Sequence, residues 1–173
     1  GKGLQELKKL GWLEETNTRL IGAQAEGCAP VVRAFEAGET EVAPVVPRTI
    51  AKSLAIGAPA DGFYALQAIR DSGGTAAAAT DEEIVAGIDL LATTEGIFTE
   101  TAGGTVIAAA KKLSERGELR ADERVVLAIT GCGLKTLDAI AGIRFPRMHL
   151  SRANLGEFDA AMASAGVPDE VPA

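Results

Sequence analysis

The apolar run at residues 124–129 (RVVLAI) limits the fold of this chain more than any other segment. It is continuous, as in the strands of parallel sheets that are covered on both faces. Two other runs, at residues 19–24 (RLIGAQ) and 75–79 (TAAAA), also suit strands, and helix-forming segments separate the three. The alternation predicts an α/β fold of three layers, with a mainly parallel sheet flanked by helices.

Cap and turn residues predict where the helices begin and end. Pro30 fits the first turn of a helix, and Asp61 can cap another. Thr80 and Glu83 form a capping box, and Gly117 suits a helix end. We expect helices near residues 1–10, 30–38, 62–70, 81–94, 102–115 and 156–165, with a short one near 50–56 inside a long proline-containing connection.

Three predicted strands and a helical start suggest an incomplete unit. A three-stranded parallel sheet leaves two edges to be paired or covered, and a first helix normally follows a strand. We therefore expect the chain to be the C-terminal part of a larger protein. Within it, residues 1–136 would form the main domain portion and residues 137–173 a tail with one helix.

Composition excludes several classes of function. The 173 residues include 17 Lys and Arg against 24 Asp and Glu, a net charge of −7, which argues against nucleic-acid binding. No apolar run suits a membrane span and no signal sequence is evident, so we expect a cytoplasmic protein. Cys28 and Cys132 are far apart, and His149 is the single histidine, so neither a metal site nor a disulfide framework is indicated. His149, in the tail, is expected to be structural or exposed.

The sharpest candidate for a ligand site is the segment Thr130 to Gly133. Ligands of open α/β sheets bind beyond the carboxyl ends of the strands, and this segment directly follows the predicted strand at 124–129. Gly131 and Gly133 allow a ligand to approach the backbone, and Thr130 offers a hydroxyl. An ordinary glycine turn is the alternative. Neither a complete GxGxxG sequence nor a Walker loop is present.

Two further residues are candidates for chemistry. Glu100, within Thr99-Glu100-Thr101, precedes a predicted helix, where it could act as an acid or base facing a cleft, although capping of that helix is the simpler interpretation. Cys28 follows a strand at a helix start, where a thiol can become more acidic. A buried bystander is the simpler interpretation of Cys28.

Five segments in order resemble a known family. They are LIGAQAEGCAPVVRAFEAG, PRTIAKSLAIGAPADGFYALQAIRDSGG, TDEEI, EGIFTETAGG and VVLAITGCGLKT. Their order and spacing resemble the C-terminal half of the pyridoxal-phosphate enzymes of the tryptophan-synthase-β type (fold type II), and the threonine synthases most closely. The likeness covers most of residues 1–136 and fades beyond Lys135.

The resemblance implies roles for five residues around pyridoxal 5'-phosphate. Thr130 would hydrogen-bond the pyridine nitrogen, with Gly131 beside it. A neutral hydroxyl does not hold that nitrogen protonated, which suits elimination and replacement chemistry. Gln24 and Ala25 would belong to the segment beside the ring, and Glu100 would be the cleft-facing carboxylate.

The family pattern also indicates what this sequence lacks. The lysine that binds the cofactor covalently and the glycine-rich loop that holds its phosphate both lie upstream in the family, and none of the seven lysines matches that motif. Cys132 stands where the family often has histidine, so a contact by an imidazole is in doubt there. The implied partners are the missing N-terminal half and a second subunit of a homodimer.

The activity implied for the parent protein is conversion of O-phosphohomoserine and water to threonine and phosphate, with this chain alone inactive. A threonine dehydratase or a cysteate synthase remains an alternative, because the substrate phosphate contacts of the family lie mostly in the absent half. A stand-alone, non-catalytic ligand-binding module is an alternative of another class.

Overall fold

A computed structural model describes residues 1–14, 17–141, 150–151 and 154–164. The chain divides into two compact units, Gly1–Ile140 and Ala141–Ala173. The helices are α1 (Lys2–Lys9), α2 (Pro30–Glu36), α3 (Gly62–Asp71), α4 (Asp81–Glu95), α5 (Thr101–Glu115) and, in the second unit, α6 (Leu155–Ser164). The strands are β1 (Gly22–Ala25) and β2 (Ala76–Ala79), and 3-10 turns cover Lys52–Leu54 and Gly133–Ile140.

The two strands form a parallel sheet with a helix on each face. Gly22 pairs with Ala76 and Ala25 with Ala79. Side chains alternate between the faces of a strand. Ala76 accordingly packs with Val32 of α2, whereas Ala77 packs with residues of α5. The expected three-layer α/β arrangement with a parallel sheet is therefore confirmed.

Helices α4 and α5 pack at very close range because glycines meet at their interface. A Cβ added at Gly87 would overlap the Gly104 carbonyl, and one added at Gly104 would overlap the Ile84 carbonyl. Both glycines are buried. Only residues without a side chain allow this backbone approach, which fixes α5 against α4 and β2.

Most of the predicted helix starts are confirmed. Pro30 occupies the first turn of α2, and Thr80 and Glu83 form the complete capping box at the start of α4. Asp61 stands at the N-cap of α3, but its side chain makes no capping hydrogen bond. Gly117 has a φ of +71° directly after α5, a conformation that glycine adopts without strain.

The predicted strand at residues 124–129 is wrong for this structure. These residues form neither helix nor strand, and the sheet has two strands in the described part of the chain. The segment runs beside β1, but a cavity of about 210 Å³, lined by Ala23 of β1 and by Val125 and Leu127, separates them. A strand needs a hydrogen-bonded neighbour about 4.8 Å away, and this segment has none within the described residues.

No helix in the described ranges is both long enough and apolar enough to cross a membrane. His149 falls within residues 142–149, outside the described residues, so its expected role stays untested. The assignment of residues 1–136 and 137–173 to parts of a larger enzyme likewise stays a prediction.

Candidate functional site

The N-terminus of α5 projects beyond the carboxyl ends of the two strands. Ala108 packs with Ala25 and Ala79 at those ends, while Leu113, further along α5, packs with Ala77. Helix α5 therefore runs antiparallel to the strands. Thr101 lies seven residues before Ala108, which is about 10 Å of helix. The segment in front of α5 thus lies on the side of the sheet where ligands of this fold class bind.

The two sharpest sequence candidates meet at this point. The Glu100 N–H donates to the Gly131 carbonyl at 3.1 Å, and the Gly133 N–H donates to the Phe98 carbonyl at 3.0 Å. Thr99 and Cys132 form an antiparallel bridge between the same two segments. The loop after residue 130 is therefore bound to the start of α5, although more than 30 residues separate them in sequence.

Glu100 is a largely buried residue whose carboxylate has no hydrogen-bond partner among the described residues, although its oxygens keep some contact with solvent. It is 8% exposed and occupies the N-cap position of α5, yet its side chain makes no capping bond. The capping interpretation of Glu100 is therefore wrong as far as its carboxylate is concerned. The positive end of the α5 dipole is a favourable place for a negative charge, so the carboxylate is stabilised there without a side-chain partner.

The glycines of the loop are required by its contacts. A Cβ at Gly131 would overlap the Glu100 carboxylate, and a Cβ at Gly133 would overlap the Phe98 ring. Neither glycine has a positive φ, so these close contacts, and not the backbone conformation, require glycine at both positions. Their function in the fold is to bring the loop backbone against Glu100 and Phe98.

Thr130 directly precedes this loop and is exposed. Its hydroxyl has no hydrogen-bond partner in the part of the chain that the structure describes. It does not end a buried strand as expected, because residues 124–129 do not pair. Thr130 nevertheless directly precedes Gly131, whose backbone lies against the Glu100 carboxylate.

Gln24 has a local role that the sequence did not reveal. Its Oε1 accepts the N–H groups of Val31 and Val32, each at 3.0 Å, and thereby caps the first turn of α2 from β1. Ala25 is completely buried at the end of β1. Their predicted position beside a cofactor ring is not tested by these contacts. The proline at the start of α2 indicated where this helix begins, but not which residue caps it.

A strap, residues 44–57, crosses the carboxyl ends of the strands. Its Arg48 N–H donates to the Gly27 carbonyl at 2.9 Å. The Asp81 carboxylate accepts the Thr49 hydroxyl at 2.7 Å and the Ile50 N–H at 3.2 Å. Sequence reasoning missed Asp81 and Thr49, because the capping box beside Asp81 already explained the polar residues there.

The cysteines and acidic residues add no metal site. Cys28 is buried and donates its N–H to the Ala25 carbonyl, as a structural residue would, while Cys132 is exposed. No three residues of the His, Cys, Asp and Glu types are grouped to hold a metal within the described ranges.

Comparisons with known proteins identify the family of this chain. The family model described as "Pyridoxal-phosphate dependent enzyme" matches residues 1–131. Threonine synthase of Methanocaldococcus jannaschii is 45% identical over 139 residues, 80% of this chain and 34% of that protein. Those of Methanosarcina acetivorans and Mycobacterium tuberculosis are 42% and 40% identical, covering 78% and 79% of this chain and 33% and 36% of theirs.

The solved structure of maize serine racemase has a TM-score of 0.55 at 19% identity, covers 72% of this chain and 39% of that one, and supports the fold alone. The chain spans about a third of the length of the curated relatives it matches. The resemblance to fold-type-II enzymes is thus confirmed, and with it the expected cofactor, pyridoxal phosphate. The chain belongs to the family of pyridoxal-phosphate-dependent enzymes.

Proposed function

We propose that this chain is the C-terminal part of a threonine synthase, a lyase that converts O-phosphohomoserine and water to threonine and phosphate. Identity of 40–45% to several threonine synthases over most of the chain supports this activity. The proposal extends to a cytoplasmic homodimer, and the mass of the purified parent enzyme in solution tests the dimer.

The observation that carries the proposal is the Glu100 carboxylate, which belongs to a residue only 8% exposed, has no hydrogen-bond partner among the described residues and is packed against Gly131. A carboxylate in this state gains stability from a ligand group that donates a hydrogen bond or carries a proton. Its position beyond the carboxyl ends of the strands is suited to a small-molecule ligand.

The residues around Glu100 fit one wall of a cofactor site. Thr130 would offer its unused hydroxyl to the pyridine nitrogen, Gly131 would follow it in the loop against Glu100, and the turn after Gln24 and Ala25 would pass beside the ring. When bound, pyridoxal phosphate supplies the electron sink for bond breaking at the substrate carbons. A hydroxyl at Thr130 would leave the ring nitrogen unprotonated, because a neutral group does not favour its charged form.

Glu100 would hold and move protons in the cleft. A carboxylate that faces a bound substrate can accept a proton at its oxygens and return it. We expect the substitution Glu100→Gln to lower kcat of the parent enzyme by about 100-fold. Glu95→Gln, on an exposed residue at the end of α4, is the matched control.

Catalysis needs parts that this sequence does not contain. The residues described here offer no lysine matching the cofactor lysine of the family and no glycine-rich phosphate loop. The apolar side chains of Val125, Val126 and Leu127 are 43%, 87% and 39% exposed beside the open edge of β1. Large exposed apolar patches mark surfaces that bind another segment. We infer that the remainder of the parent polypeptide covers this face.

The parent protein, supplied with pyridoxal phosphate and O-phosphohomoserine, tests the activity. Release of phosphate and threonine in equal amounts is the expected result. Formation of 2-oxobutanoate from threonine would instead identify a dehydratase, and formation of a sulfonated amino acid from sulfite a cysteate synthase. A parent protein that binds a small ligand but turns over none of these substrates would support the non-catalytic module and contradict the proposal.

A further inference from the structure

Thr99 lies completely buried at the point where the loop after residue 130 meets α5. Its side chain occupies the space above Gly103 in the first turn of the helix, since a Cβ at Gly103 would overlap the Thr99 hydroxyl. The glycine thus makes room for the threonine.

The Thr99 hydroxyl donates to the Gly131 carbonyl at 3.0 Å. The same carbonyl accepts the Glu100 N–H at 3.1 Å. Two consecutive residues therefore hold one carbonyl, and a carbonyl with both lone pairs used is fixed in direction. Gly131 follows Thr130 in sequence and touches the Glu100 side chain. The Gly131 carbonyl consequently links the position of Thr130 to that of Glu100.

We propose that Thr99 is a positioning residue, which sets the distance between the Thr130 hydroxyl and the Glu100 carboxylate through the Gly131 carbonyl. This inference rests on the proposed function, in which those two groups face the cofactor. Thr99 itself need not touch cofactor or substrate. Its contribution is to keep the loop at a fixed place when the ligand changes during the reaction.

Thr105 offers a matched control. It is also completely buried, and its hydroxyl donates to a backbone carbonyl, that of Thr101, at 2.9 Å. Thr105→Val removes the same kind of hydrogen bond, from a hydroxyl to a backbone carbonyl, inside α5 and without touching the loop. Thr99→Val removes only the hydroxyl, because valine has nearly the shape of threonine and still fills the space above Gly103.

The experiment uses the full-length parent protein with Thr99→Val, Thr99→Ser and Thr105→Val. We expect Thr99→Val to speed amide hydrogen exchange at residues 130–133, to shift the absorption band of bound pyridoxal phosphate, and to lower kcat/KM roughly tenfold. Thr99→Ser, which keeps the hydroxyl, should restore most of the exchange protection and the band. Thr105→Val should match the wild type in all three.

The inference would be overturned if Thr99→Val and Thr105→Val showed equal amide hydrogen exchange at residues 130–133 and equal absorption bands of the bound cofactor. Failure of the proposed function looks different, because the wild-type parent would then form no threonine from O-phosphohomoserine. The exchange comparison needs neither turnover nor cofactor, so it still decides whether Thr99 holds the loop.

Gly103→Ala provides a second variant should Thr99→Val reduce the yield of folded protein. The added methyl would displace the Thr99 hydroxyl, so it should also raise exchange at residues 130–133 and shift the cofactor band. A Gly103→Ala protein with wild-type exchange and band would contradict the inference.

Discussion

The two edges of the β1–β2 sheet differ in how their backbone groups are satisfied. On the β2 edge, the Lys112 ammonium donates to the Ala78 carbonyl at 2.8 Å and to the Glu83 carboxylate at 2.7 Å. A lysine over an edge strand blocks further pairing. This edge is therefore completed by residues of the chain itself.

The β1 edge is open. The N–H groups of Gly22 and Glu26 donate to carbonyls of Thr75 and Ala79, so alternate residues face β2 and the backbone of Ala23 faces away. No strand among the described residues pairs with this edge, and a cavity of about 210 Å³ lies beside it. The sheet therefore ends at β2 but can continue beyond β1. The apolar segment 124–129 also lacks a hydrogen-bonded strand beside it within the described ranges.

The largest expected effect comes from a charge on the open face. Val126→Asp should cost the full-length parent protein about 3 kcal/mol of unfolding free energy, because the face is covered there and the carboxylate would be buried without a partner. In the present chain alone, where Val126 is 87% exposed, the cost should stay below about 0.5 kcal/mol. Urea denaturation of both proteins measures the difference.

Val46→Asp is the control for that experiment. Val46 is 80% exposed, but it belongs to the strap and does not line the cavities beside β1. Val46→Asp should lower the free energy of unfolding only slightly in both proteins. Equal effects of the Val126 substitution in the two proteins would mean that nothing covers the β1 face.

A smaller effect is expected on the completed edge. Lys112→Met keeps the apolar stem but removes the hydrogen bonds to the Ala78 carbonyl and to Glu83, and should cost about 2 kcal/mol in urea denaturation. Lys111→Met, which breaks only an exposed ion pair with Glu115, should leave the denaturation midpoint unchanged. Equal midpoints for the two variants would contradict the view that Lys112 completes this edge.

The smallest effect is a change in acid sensitivity. Burial raises the pKa of Glu83, but the Lys112 hydrogen bond, the Thr80 N–H and the charges of Lys112 and Lys111 outweigh it, so the pKa lies below its usual 4.5. A lowered native pKa gives stability that is present above the unfolded pKa and lost as pH falls through the native one. Lys112→Met should therefore lose less stability than the wild type between about pH 6 and about pH 3. Parallel stability curves would contradict this assignment.

Local signals in the sequence predicted the helices well. The capping box of Thr80 and Glu83 and the proline at the start of α2 act within one helical turn, so nearby residues suffice to recognise them. The prediction of a strand at residues 124–129 was wrong for the opposite reason. Apolar character makes a strand possible, but a strand exists only when another backbone lies beside it, and that neighbour cannot be read from the segment.

The sequence indicated which residues belong to the candidate site, but not which of them contact each other. Glu100 and Gly131 were each singled out from the sequence, yet their contact depends on how α5 and the following loop fold back on each other. Gln24 was expected beside a ring, and its capping of α2 depends on a turn between them. The role of Thr99 could not be predicted, because it depends on a glycine four residues later and on a carbonyl in a distant loop.

The central claim is that this chain supplies the wall of a cofactor site in which Thr130 meets the pyridine nitrogen. The most direct test is the absorption spectrum of pyridoxal phosphate bound to the parent protein carrying Thr130→Ala, with Thr94→Ala on the exposed end of α4 as control. We predict a shifted band and roughly tenfold weaker cofactor binding for Thr130→Ala alone. A Thr130→Ala protein with the wild-type band, affinity and turnover would contradict the account.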